Sequence, residues 1–159
     1  MFACIISFLA QIRINLPGLV PITLQTLGIY LVSCTLKPKL ALITVIVYLS
    51  MGIIGLPVYT GFQAGISTIV GPTGGYLGGF IVMVLIISLI NKNDHARTKI
   101  LAMIIGTIAC YIIGTVWFIY LTNNSYITAL TLCVLPFIPG DIIKILIACS
   151  LSTKLKKRI

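Results

Sequence analysis

The sequence predicts an all-α integral membrane protein of six transmembrane helices with both termini cytoplasmic. Three observations carry that reading. The 159-residue chain is 59% hydrophobic and only 8% charged, against about 25% in an average soluble protein. So few charges cannot coat a soluble domain, and the surface must face lipid. The apolar residues also fall into runs separated by short polar breaks, and the basic residues gather in alternate breaks.

Taken in order, the apolar runs cover about residues 1–10, 23–36, 40–54, 74–90, 100–121 and 141–151, with a shorter piece near 126–135. A bilayer core about 30 Å thick takes about 20 residues, fewer where the bilayer adapts. The first run is short and no charged anchor precedes it, so the first helix reads as truncated, with residues missing upstream. Its opening also lacks the basic start of a secretory signal. The second run stops at KPK, the fourth at NKNDHARTK, the fifth at TNNS and the last at STKLKKR.

With the first short loop outside, the inside segments hold Lys37, Lys39, Lys92, Arg97, Lys99, Lys154, Lys156, Lys157 and Arg158. The outside segments, about 15–22, 56–72 and 122–138, hold no Lys or Arg. Arg13 lies at an outer helix end and Lys144 within a span. This division follows the positive-inside rule and makes residues 1–159 a single transmembrane domain. Trp117 and Tyr120, near the outer end of the fifth span, fit either an interfacial aromatic belt or ordinary packing.

Composition also excludes functions. The balance of 11 basic to 2 acidic residues does not signal a nucleic-acid partner, because no basic stripe is interleaved with aromatics. Cys4, Cys34, Cys110, Cys133 and Cys149 are scattered without paired spacing, which argues against a disulfide framework or a metal site. His95 stands alone in a polar run. No GxxxxGK[ST], HExxH or GxSxG occurs, so the chain carries no P-loop or hydrolase signature and is not expected to be an enzyme.

Two features break membrane rules. Asp141 and Lys144 lie on the last apolar run, where each costs about 2.5–3.5 kcal/mol near a helix centre. Three residues apart, they share a helix face and can partly neutralise one another. Asp141 follows Pro139-Gly140, so it could cap the helix N-terminus with Lys144 as its partner. Capping leaves Lys144 unexplained, and a ligand-facing role explains both.

The second feature is the uncharged outer segment GLPVYTGFQAGISTIVGPTGGYLGG. Irregular backbone at membrane depth survives only where it is buried in protein or lines a cavity. Gly74, Gly75, Gly78 and Gly79 form small-xxx-small pairs suited to helix packing. Tyr76 could offer its hydroxyl to a ligand or sit at the interface. The segment LPGLVPITLQT, stiffened by prolines, could fold over a pocket as a lid, with Gln25 the polar candidate because a buried amide needs partners. Ala3 and Ser7 form another small-xxx-small pair, expected to admit a partner helix.

The motifs LPGLVPITLQTLG, GIIGLPVYTGF, GPTGGYLGGF and VLPFIPGDIIK, in this order, closely resemble the BioY family, the biotin-specific S components of energy-coupling factor (ECF) transporters. The resemblance covers about residues 11–148, and the short first helix is the main departure from the family pattern. It implies a six-helix S-component fold in the cell membrane, with a vitamin pocket near the outer face walled by external loops. It further implies partnership with a transmembrane coupling protein and two cytoplasmic ATPases, with biotin as cargo and no cofactor. The family's PGDxxK motif maps onto Asp141 and Lys144 as ligand-contacting positions. The expected contacts are then Asp141 on a ureido N–H, with Lys144 on the carboxylate or orienting Asp141. Tyr76 and Gln25 add polar contacts, and Leu56, Pro57, Val58 and Phe62 enclose the rings. The competing readings are an S component for another vitamin and a non-transporting membrane scaffold.

Overall fold

The computed structural model describes residues 1–14, 20–91 and 95–156, so Lys92, Lys157, Arg158 and the first part of the expected lid lie outside the described residues. The elements are α1 (Phe2–Gln11), β1 (Arg13–Ile14), β2 (Ile22–Thr23), α2 (Gln25–Thr35), α3 (Pro38–Ile53) and a 3-10 turn (Thr60–Phe62). They continue with α4 (Ile66–Val70), α5 (Gly74–Ile90), α6 (Ala96–Thr122), α7 (Tyr126–Cys133) and α8 (Ile138–Lys156).

Local chemistry sets several of these boundaries. Pro38 opens α3, where its missing N–H costs nothing and its fixed φ suits a first turn. Asn123, in the left-handed conformation, ends α6, as asparagine tolerates better than most residues. Ser125 caps α7 by accepting from the Thr128 N–H at 3.3 Å. The chain then bends by 46° between α7 and α8, next to Pro136. One departure from the all-α expectation is a hairpin in which β1 pairs antiparallel with β2, Arg13 opposite Thr23.

α2 is the central element. Every residue from Leu27 to Thr35 is buried, and the helix packs against α1, α3, α5 and α8. On α1, Ala3, Ile6 and Ala10 turn inward, and Gly28 of α2 lets the Ile6 backbone come close. The largest helix–helix contact joins α5 and α6. There Gly75 meets Trp117, Gly79 meets Cys110, Gly106 meets Ile87, and Gly114 meets the Tyr76 ring. Of the glycines expected to pack, Gly74 lies on the Ile69 carbonyl of α4 and Gly78 faces open space. The Gly75–Gly79 pair therefore serves the α5–α6 contact, and the Gly74–Gly78 pair does not.

Much of the outer surface is apolar. Ile104, Ile108, Ile112 and Val116 form an exposed stripe along α6, and Ile142, Ile143 and Leu146 are exposed on α8. By length and apolarity α6 can cross a bilayer alone, as can α7 and α8 taken together as one bent span. α1 and α2 have 10 and 11 residues, which reach about 15–17 Å at 1.5 Å per residue. The ends of the helical body differ in charge. Lys37, Lys39, Arg97, Lys99 and Lys154 lie at the end where α3 and α6 begin and α8 finishes. At the opposite end, among the described residues, the basic side chain is Arg13.

Candidate functional site

A cavity of about 660 Å³ opens at this second end, between α2, α5, α6, α8 and the cover formed by the hairpin and residues 59–73. That size suits a small organic ligand. Its floor is polar. Asp141 and Lys144 are almost wholly buried and form an ion pair at 2.8 Å. The pair is held from two other helices. Thr26 of α2 donates to Asp141 Oδ1 at 3.3 Å and accepts from Lys144 Nζ at 3.1 Å. Tyr111 of α6 donates to Asp141 Oδ2. Beside them the Tyr30 and Thr107 hydroxyls are hydrogen-bonded at 2.6 Å.

α8 starts at Ile138, so Asp141 sits in its first turn rather than at the N-cap. Its carboxylate reaches across to α2 and α6, which corrects the capping alternative. The hydrogen-bond inventory of the pair is incomplete in a useful way. A carboxylate has about four acceptor positions and an ammonium three donors. Among the described residues, three of the acceptor positions and two of the donors are engaged. One acceptor position, on Asp141 Oδ2, and one Lys144 donor therefore remain on a buried, net-neutral pair.

The upper wall is aromatic and hydroxyl-rich. Tyr59, Tyr76, Phe80, Tyr111 and Phe137 all line the cavity. Tyr76 pairs its hydroxyl with Thr115 at 3.3 Å. Gln25 also lines the cavity, but its amide is engaged: Nε2 donates to Tyr48 at 2.7 Å, and Oε1 accepts from Thr60 at 3.1 Å. Gln25 thus ties the cover to α2 and α3. A second tie is Gln11, whose Nε2 donates to the Val58 and Tyr59 carbonyls and whose Oε1 accepts from the Phe62 N–H. Tyr59 tucks into the space left by Gly52 and donates to the Leu49 carbonyl at 2.6 Å. Burial raises its phenol pKa, so it remains a neutral donor.

Four of the expected site residues, Asp141, Lys144, Tyr76 and Gln25, thus meet in one cavity. Leu56, Pro57, Val58 and Phe62 are not part of its lining. Leu56, Pro57 and Phe62 point outward and are exposed, while Val58 is buried, with its carbonyl taken by Gln11 and Tyr48. The reason lies in the backbone: Gly55, Gly61 and Phe62 adopt positive φ, and these turns reverse which side of the loop faces inward. Ala3 faces the chain's own core, so it is not placed to meet a partner helix. Ser7, half-buried, donates to the Ala3 carbonyl at 2.9 Å. Sequence reasoning missed Tyr111, Thr26, Phe80 and Phe137 as lining residues. Thr26, Phe80 and Tyr111 lie inside apolar runs and Phe137 in the break before the last one, and none gives a periodicity signal that separates a cavity wall from ordinary packing.

Comparison with known proteins adds independent findings. The model of the BioY family matches residues 1–159. The biotin transporter BioY2 of Lactococcus lactis subsp. cremoris is 38% identical over 144 residues, covering 89% of this chain and 79% of that protein. The biotin transporter BioY of Thermotoga maritima is 34% identical, covering 99% of this chain and 92% of that protein. A crystal structure of the S-component for biotin from an ECF-type ABC transporter superimposes with a TM-score of 0.88 at 30% identity. It covers 98% of this chain and 87% of the other.

Proposed function

The chain belongs to the BioY family, and on that premise we propose that it binds biotin and serves its uptake as the substrate-binding membrane subunit of an ECF-type transporter. It is a transporter subunit and not an enzyme. The observation that carries the ligand assignment is the buried Asp141–Lys144 pair on the cavity floor, with one acceptor and one donor to spare. The edge of a ureido ring presents an N–H beside a carbonyl. Asp141 accepts from that N–H and Lys144 donates to that carbonyl, while Thr26 and Tyr111 hold the carboxylate in place. Tyr76 adds a hydroxyl to the wall, and Gln25 shapes the cavity from behind. The fused rings lie against Tyr59, Phe80 and Phe137. Charge-assisted hydrogen bonds contribute about 1.5–3 kcal/mol each, and burial makes the pair costly unless it is well partnered.

The apolar exterior and the charge difference between the two ends support a single multi-pass membrane domain with six spans and both termini on the basic, cytoplasmic side. The cavity then opens outward across the cell membrane. No nucleotide-binding motif accompanies it. A transmembrane coupling protein and two cytoplasmic ATPases supply the energy, and no cofactor takes part.

The test is biotin binding by calorimetry on detergent-purified full-length protein stripped of copurified ligand. Saturable binding at nanomolar to low-micromolar affinity is expected. A folded protein that ignores biotin but retains another vitamin, identified by mass spectrometry of the purified material, overturns the substrate. A folded protein with no ligand at all favours the scaffold reading.

A further inference from the structure

Arg13 is the basic residue that membrane sorting does not explain. Basic residues are expected on the cytoplasmic side, and among the described residues Arg13 alone stands at the opposite end. It sits on β1 of the hairpin and lines the mouth of the cavity. Its guanidinium lies over Gly61, where any Cβ would overlap it. Gly61 also has φ +71°, a conformation that L side chains rarely adopt. The cover is therefore shaped to seat a guanidinium. Among the described residues, no hydrogen bond or ion pair engages that group, and it is exposed.

Charge bookkeeping points the same way. Asp141 and Lys144 cancel on the floor, so Arg13 leaves the cavity with a net positive charge. A monoanionic ligand with a neutral hydrogen-bonding head matches that distribution. We propose that Arg13 binds the carboxylate of the ligand at the cavity mouth, which fixes the ligand's direction with its ureido ring inward and its acid outward. This rests on the reading of the cavity as a biotin site. It makes Arg13 a specificity residue that favours the free acid over neutral forms in which the carboxylate is an amide or ester. A planar guanidinium suits a carboxylate through two parallel N–H donors. Because Arg13 is exposed, water and salt screen the interaction and its effect is modest.

The experiment compares biotin with biotin carboxamide, the neutral primary amide, on the full-length protein and on Arg13→Gln and Arg13→Lys. Wild type is expected to prefer the acid by roughly 2- to 5-fold, with the preference shrinking at high salt. Arg13→Gln should lose that preference while binding the amide as wild type does, and Arg13→Lys should recover part of it. Equal losses for both ligands in Arg13→Gln, or an undiminished preference for the acid, overturn the carboxylate role. Failure of wild type to bind either ligand overturns the biotin reading itself, a distinct result from failure at Arg13 alone.

Discussion

The floor of the cavity draws Asp141, Lys144, Thr26 and Tyr111 from three packed helices, α2, α6 and α8, whereas its cover consists of two-residue strands, a 3-10 turn and the five-residue α4. The floor is a network that spans three helices and keeps one acceptor and one donor unused. Each partner is carried on a helix that packs against at least one of the other two, and the chain's own side chains form the network. The cover is tied down by two amides, Gln11 and Gln25, and by the Tyr59 plug. Val58 and Tyr59 also anchor it in the main hydrophobic core, whereas Thr60–Phe62 and Ile66–Val70 hold no buried residue. In the proposed reading, the polar floor supplies recognition and the cover is the side from which the ligand enters.

The sharpest way to break this division is Asp141→Asn. It leaves Lys144 buried without its counter-charge and removes an acceptor from the ligand. Weakening a charge-assisted hydrogen bond to the ligand costs about 1.5–3 kcal/mol, so affinity for biotin should fall about 10-fold or more. Circular dichroism should still report a folded helical protein. Binding within a few-fold of wild type would dissolve the floor as a recognition site.

Gly61→Ala tests the cover alone. The added methyl collides with the Arg13 guanidinium and must occupy a left-handed conformation that costs about 1–2 kcal/mol. Ligand dissociation should accelerate by about 5- to 10-fold in a stopped-flow trace. A change of the same size as that of Asp141→Asn would mean that the cover and floor are not separable.

Tyr111→Phe deletes one hydroxyl from the floor and keeps the ring. The lost bond is worth about 1 kcal/mol, so calorimetry should show a loss of about 5-fold in affinity. Phe62→Ala should have the smallest effect. Phe62 is 71% exposed and outside the cavity lining, and its affinity for biotin should stay within about 2-fold of wild type. A larger loss would restore the expectation that this loop's apolar residues enclose the rings.

The contrast between floor and cover also explains which site residues were legible. Asp141 and Lys144 stand out in any reading, because charged residues in an apolar run are too costly to be incidental. Gln25 and Tyr76 were legible as polar groups beside glycine- and proline-rich breaks. Thr26 and Tyr111 carry no such mark, since a hydroxyl on an apolar helix is cheap and common. Leu56 and Phe62 misled in the opposite direction. Their apolar character suggested enclosure, but Gly55 and Gly61 at positive φ turn them outward. Ala3 misled similarly: small spacing on α1 suggested a partner helix, and the burial of Ala3, Ile6 and Ala10 shows that face packed within the chain.

Composition, the order of apolar runs and the placement of basic residues determined by themselves that this is a helical chain with a lipid-compatible exterior. Four ordered motifs, read together, pointed to its family. These properties are additive along the chain: each run and each break contributes its own transfer energy wherever its neighbours lie. The tertiary structure alone decided that α2 stands in the middle and that Asp141 meets Thr26 and Tyr111 across 115 and 30 residues of sequence. It also decided that Arg13 lies over Gly61 at the mouth. Those facts depend on which faces pack together and on hydrogen bonds between residues far apart in the chain, and no local pattern encodes such pairings.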